Sequence, residues 1–340
     1  MRSGPSEGLL SERLAAALVE AGGPVIAVEE RAATDPRVLR ALAAESGPLV
    51  ARTAEGAALR LMPDGTLPPA ADLPALADAL AKAGTPTLAQ ANFDGFVGVL
   101  RRDLPYWILR PLDAAQAQAA ERWMFLSNYK GSTDILTAHV FPPLVWPLTL
   151  WFARQGISPN AVTIVSILLT VLATVLFWQG QLAAGLASAY AMAVLDSVDG
   201  KLARVTLSDS ALGNVLDHGL DIVHPPFWWL AWAHGAAVLG GAGWLWSAAW
   251  LMTAFYIADR LVLMVAKARF GRGLHAMTRL DGKVRSFISR RNINLLVLTI
   301  GLALGLETAA FAVVVGWQAA TFLWHALRTA MLYPRGRVKA

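Results

Sequence analysis

The sequence predicts an α-helical membrane protein with six transmembrane helices, preceded by an interfacial helix and a small N-terminal cytoplasmic α/β domain. Three observations carry that expectation. Of 340 residues, 56% are hydrophobic, above the usage of ordinary soluble domains. Residues 155–195 and 222–258 contain no Asp, Glu, Lys or Arg, and a bilayer crossing takes about 20 apolar residues. Charge is also unevenly divided: residues 1–132 hold 13 basic and 15 acidic side chains, residues 133–340 hold 16 and 9. A basic membrane half suits anionic lipid and phosphorylated ligands rather than nucleic acid. The chain has no cysteine, which excludes disulfides, thiolate nucleophiles and thiolate metal sites.

Residues 1–130 form the expected cytoplasmic domain. Glu7, Glu12, Arg13 and Glu20 interrupt any apolar run, so no signal peptide is expected. Ser11–Ala21 has an amphipathic helical pattern, Pro24–Glu29 reads as a short strand, and Asp35-Pro36 starts a helix through Ala44. Leu49–Arg52 and Ala57–Leu61 read as strands and Leu73–Ala83 as a helix, with Gly84-Thr85-Pro86 as a turn. Short strands alternating with helices predict the α/β class.

Residues 131–157 form the expected juxtamembrane segment. Ile135–Ala153 is rich in Phe, Pro, Leu and Trp but carries paired prolines at 142 and 143 and ends at Arg154. It is expected to lie in the interface, with Trp146 and Trp151 at headgroup depth; an extra spanning helix is the competing reading.

Residues 158–340 form the expected membrane domain. Ser158 is a candidate cap and Pro159 suits the first helical position. The spans are expected near 159–178, 182–205, 209–234, 243–268, 287–306 and 309–331. The turns near Gln181, Gly240 and Glu307 lack Lys and Arg, whereas the opposite ends hold Lys201, Arg204, Arg269, Arg272, Arg279, Lys283, Arg285, Arg290 and Arg291. By the positive-inside rule both termini are then cytoplasmic.

The chemistry concentrates in Asp196–Asp221, DSVDGKLARVTLSDSALGNVLDHGLD. Asp196 and Asp199 are three apart and share a helix face; Gly213, Asp217 and Asp221 follow at intervals of four. Two such helices side by side would gather four carboxylates, which repel unless cations lie among them. Hard divalent ions, Mg²⁺ or Mn²⁺, suit oxygen donors. Gly200 and Gly213 leave room for a bulky ligand, and Arg204 offers a fork for phosphate. The alternative, a solvated loop with aspartates as helix caps, suits Asp209 alone.

The pattern D-x2-D-G-x2-A-R-x8-G-x3-D-x3-D, met by Asp196, Asp199, Gly200, Ala203, Arg204, Gly213, Asp217 and Asp221, resembles the signature of the CDP-alcohol phosphotransferases, membrane enzymes of phospholipid synthesis. Pro159, Asn160 and Thr163 are similar to the family's first span. The resemblance covers the chain from about Ser158 onward. It implies substitution at the β-phosphorus of a CDP-linked alcohol by a second alcohol, one of the two being a lipid, with CMP leaving. It further implies metal ligation by Asp196, Asp199, Asp217 and Asp221, two ions in number, with Asp221 as general base. A cytidine-diphosphate pocket would be shaped by Asn160, Thr163, Asp199, Gly200, Ala203, Arg204, Gly213 and Asp217. A homodimer is implied as well.

Lys130, Thr133 and Asp134 resemble the juxtamembrane segment of inositol-lipid members. Pro24–Ala44 looks like a fragment of the nucleotidyltransferase domain that some of those members carry. No glycine-rich triphosphate loop accompanies it, so a non-catalytic docking or dimerisation domain is expected. Lys283, Arg285, Arg290 and Arg291 sit where the fifth span enters the site and are the candidates for an acceptor phosphate. Together these features tilt the expectation toward an inositol-phosphate-type lipid product. Asp259 and Arg260 could pair between spans or contact a ligand, while His218 and His224 are assigned to helix packing. The rival classes are an ion-translocating membrane protein and an inactive family member acting as a scaffold.

Overall fold

The computed structural model divides into two compact units, Met1–Ser127 and Asn128–Ala340. It describes residues 10–90, 93–97, 100, 102–129, 133–206, 208 and 211–335, with backbone only for 211–218, 220 and 335.

In the first unit, helix α1 (Leu10–Ala21) leads into strand β1 (Val25–Val28), a short β2 (Ala33–Thr34) and helix α2 (Pro36–Ala44). The α2 start follows from sequence: Asp35 Oδ1 accepts from the Arg37 backbone N–H at 2.9 Å, and Pro36 needs no donor there. Strands β3 (Leu49–Arg52) and β4 (Ala57–Leu61) precede α3 (Leu73–Lys82), capped by Asp72. The strands pair antiparallel in the order β1-β4-β3. Leu18, Val50, Leu59 and Leu76 bury one face of this sheet; Val38, Leu42, Tyr106 and Ile108 bury another cluster. Two-residue strands β5 (Phe96–Val97), β6 (Arg102–Asp103) and β7 (Ile108–Leu109) and helix α4 (Ala114–Ser127) complete the unit. A cavity of about 1220 Å³ opens between β7 and α4, with Trp107 and Trp123 in its wall.

The second unit is helical and is that of an integral membrane protein. The proline-rich juxtamembrane segment is a π-turn, Leu136–Val140, followed by helix α5 (Pro142–Arg154). Pro142 and Pro143 therefore occupy a helix start, while Pro147 lies inside. Then come α6 (Pro159–Trp178), α7 (Leu182–Val205), α8 (Ala211–Val238), α9 (Leu245–Phe270), a short α10 (Arg279–Val284), α11 (Arg291–Ala303) and α12 (Glu307–Leu332). Ser158 Oγ accepts from the Ala161 N–H at 3.2 Å, the expected cap.

Among the described residues, α6, α7, α9 and α12 are long and apolar enough to cross a membrane. On α6, Ile164, Leu168, Val171 and Val175 are exposed while Val162, Ser166, Thr170, Ala173 and Phe177 are buried. That helix is apolar all round, with one face in the bundle and the other left for lipid. Helix α11 has 13 residues, a rise of about 20 Å against a hydrocarbon core of about 30 Å. It begins four residues later than the expected fifth span, because Arg290 is extended (φ −136°, ψ 159°) and Ser289 N–H bonds Thr321 Oγ1 at 2.9 Å instead. The bundle core gathers Phe177, Met192, Trp228, Trp232, Met252 and Phe311. At Gly235 a Cβ would strike the Phe177 carbonyl, so glycine there lets α6 and α8 close.

Candidate functional site

Helix α7 carries Asp196, Asp199, Gly200, Ala203 and Arg204 on successive turns. Helix α8 carries Gly213, Asp217 and Asp221. Lys130 and Asp209 lie outside the described residues, and Gly213, Asp217 and His218 are described by backbone alone.

The two ends of the acidic pattern meet at one cation. Arg291, in the first turn of α11, donates from Nη2 to Asp196 Oδ2 at 2.6 Å and from Nη1 to Asp221 Oδ1 at 3.0 Å. Asp196 and Arg291 are each 14% exposed, Asp221 48%. The first of these pairs therefore dominates, since an ion pair open to water contributes little. Carboxylates from α7 and α8 converge within reach of a single positive group, and their oxygens suit a hard divalent cation. The guanidinium shows that a positive group is accommodated between these two carboxylates, and the oxygen donors themselves fit a hard divalent ion.

Asp199 faces elsewhere in part. It is 4% exposed, and its Oδ2 accepts from Thr163 Oγ1 on α6 at 2.7 Å. Among the described residues no three acidic or imidazole side chains form a metal-sized cluster. Gly200 has a local use: a Cβ there would sit 3.3 Å from Arg204 Nη1, so glycine lets the Arg204 fork lie back along its own helix. Ala203 and Asn160 lie on α7 and α6.

The basic candidates separate. Among the described residues, Arg290 pairs with Asp134, at 3.8 Å, and not by hydrogen bond with the aspartates that Arg291 holds. Lys283 is exposed on α10, and Arg285 caps that helix. Burial and the charge of Arg285 push the His275 imidazole down to about 2, so it is neutral at physiological pH.

Asp134 is a residue for which sequence offered only a short resemblance. It is 3% exposed and accepts from Thr137 N–H at 3.0 Å, Thr137 Oγ1 at 2.9 Å and Asn292 Nδ2 at 3.2 Å. Burial alone would raise its carboxyl; Arg290 and these hydrogen bonds outweigh that and hold it below the usual carboxylate value. The π-turn is thereby tied to the residues on both sides of Arg291. Asp259, which the sequence left between two readings, pairs α9 to α12: its Oδ1 lies 2.5 Å from His325 Nδ1. Arg328 forks onto Asp281 at 2.7 and 3.0 Å, tying α12 to α10. Neither pairing was legible as a spacing, because each joins distant segments.

A family model described as CDP-alcohol phosphatidyltransferase matches residues 156–327, just over half of the chain. Cholinephosphotransferase 1 of Xenopus laevis is 29% identical over 190 residues, 51% of this chain and 45% of that protein. The mouse cholinephosphotransferase 1 is 28% identical over 199 residues, 52% and 46%. Archaetidylinositol phosphate synthase of Pyrococcus horikoshii is 44% identical over 70 residues, 20% of this chain and 37% of that protein. The chain thus spans less than half the length of these curated relatives.

Proposed function

The chain belongs to the CDP-alcohol phosphatidyltransferase family, and from that premise we propose that it is a membrane enzyme moving a phospho-alcohol group from a CDP-linked alcohol to a second alcohol. The observation that carries this reading is the convergence of Asp196 and Asp221 on Arg291.

In the proposed reaction the acceptor oxygen bonds to the β-phosphorus of the donor and the bond from that phosphorus to the bridging oxygen breaks. CMP departs with the bonding pair, and the acceptor proton passes to Asp221. An ionised carboxylate is a modest base, so Asp221 works by position more than by basicity. Mg²⁺ or Mn²⁺ held by Asp196, Asp199, Asp217 and Asp221 would neutralise the pyrophosphate and the leaving CMP. Thr163 keeps Asp199 oriented through its 2.7 Å hydrogen bond. Asn160, Gly200, Ala203, Arg204 and Gly213 border the cytidine-diphosphate side. Arg291 and Arg290 serve the acceptor side, with Lys283 and Arg285 outlying.

The finer assignments belong to the same proposal: six spans, both termini and the aspartates cytoplasmic, a homodimer, and a non-catalytic first unit used for docking. An inositol-phosphate lipid product is favoured, supported by the 44% identity to the archaetidylinositol phosphate synthase and by the paired arginines. The longer match, to cholinephosphotransferases, supports a choline-type donor as the second reading. A CMP-release screen decides between them, using glycerol phosphate, inositol phosphate, serine, ethanolamine and lipid alcohols with matching CDP donors. A clear preference for an uncharged acceptor would remove the inositol-phosphate reading.

A further inference from the structure

Helix α8 contains Pro225 and Pro226 in its interior. Proline has no N–H, so each removes one i→i−4 hydrogen bond. The carbonyls left without their helical donors are those of Asp221 and Ile222. Within a membrane such freed carbonyls are met by side chains of neighbouring helices, local hydroxyls, water or a local change of helix pitch. Tyr256 of α9 meets both: its hydroxyl donates to the Ile222 carbonyl at 3.0 Å and, more weakly, to the Asp221 carbonyl at 3.3 Å. Its ring is fixed in place. It is 7% exposed, packs edge-on against Trp229 at 5.1 Å and carries the Arg260 guanidinium 4.9 Å from its centroid. Trp229 lies two turns below Asp221 on α8, so the same phenol is braced by the helix it supports.

We infer that Tyr256 is a positioning residue for Asp221, holding the proline-broken turn of α8 so that the carboxylate faces Asp196. The inference rests on Asp221 being the general base. A carboxylate whose value lies in its position loses rate steeply when displaced, about 100-fold for a shift on the order of 1 Å. Among the described residues the phenol hydroxyl bonds only these two carbonyls, and a phenylalanine would keep the packing against Trp229.

The test uses full-length protein in detergent with two substitutions. In Tyr256→Phe, kcat for CMP release should fall about 10- to 100-fold while KM for the CDP donor stays within about 3-fold. Hydrogen–deuterium exchange should rise in peptides covering residues 219–229 and not elsewhere in the bundle. Adding Pro226→Ala to Tyr256→Phe returns an N–H to the Ile222 carbonyl, and should recover at least about 5-fold in kcat and lower the exchange. A folded Tyr256→Phe protein with kcat within 2-fold of wild type overturns the inference, as does unchanged exchange or no recovery in the double variant. Wild-type protein that releases no CMP would overturn the proposed function instead, and the exchange measurement would still decide on Tyr256.

Discussion

Arg291 and Asp196 form an ion pair at 2.6 Å between α11 and α7, and the same guanidinium reaches Asp221 on α8 at 3.0 Å. One residue thus gathers three helices around the carboxylates. Removing it leaves those carboxylates facing each other with their repulsion uncompensated. Arg291→Gln should therefore lower the unfolding temperature of the protein in EDTA, by an amount equivalent to about 3 kcal/mol for losing one partner of a largely buried pair. Added Mg²⁺ should raise the melting temperature more in Arg291→Gln than in wild type. Equal responses to Mg²⁺ would mean that guanidinium and ion do not share the same oxygens.

Asp134 supplies a buried negative charge 3.8 Å from Arg290. Asp134→Asn preserves shape but removes that charge and should cost about 1–3 kcal/mol of stability at pH 7. The Asp134 carboxyl lies below its ordinary value of 3.8, so its contribution is complete above that pH and is lost as pH falls through the lowered value. Thermal melts of wild type and variant should converge as the pH falls below 3.8 and through that lowered value. A difference independent of pH would assign the effect to packing.

How much of this was visible beforehand follows from range. The helix beginning at Pro36, the strands Leu49–Arg52 and Ala57–Leu61, and the caps Asp35 and Ser158 were legible because each rests on neighbours a few residues away. The aspartate spacing was legible for the same reason, since Asp196 and Asp199 are one turn apart. What could not be read was pairing across the chain: Arg291 with Asp196, Asn292 with Asp134, His325 with Asp259. Arg290 and Arg291 are adjacent and chemically identical, yet the ion pairs differ, Asp134 for one and Asp196 with Asp221 for the other, and the backbone at Arg290 is extended where α11 begins. The paired prolines of α8 did carry a signal, two carbonyls in need of donors, but no sequence rule names Tyr256 as the donor.

His275 gives a second pH dependence of opposite chemistry. It is 7% exposed and titrates at about 2 against an ordinary 6.5. Unfolded chains take up the proton below 6.5 and the folded one does not, so stability should fall on acidification from 6.5 downward, by about 1.4 kcal/mol per pH unit for this group. Melting curves between pH 7 and pH 5 should flatten in His275→Gln relative to wild type. An unchanged slope would place the acid sensitivity elsewhere.

Orientation is open to a direct check. Reporters fused after Ala340 and inserted near Gly65 should both be cytoplasmic. Either one on the far side would break the even number of crossings and move the aspartates away from cytosolic substrates.

CMP release from CDP-linked alcohols by purified protein, run with Mg²⁺, with EDTA, and with Asp221→Asn, reads the chemistry of the aspartates themselves. Wild type should release CMP, with release stopping in EDTA and falling about 10²- to 10⁴-fold in Asp221→Asn while donor binding is retained. No CMP release by wild type from any donor, or turnover in Asp221→Asn close to wild type, would contradict this chemistry.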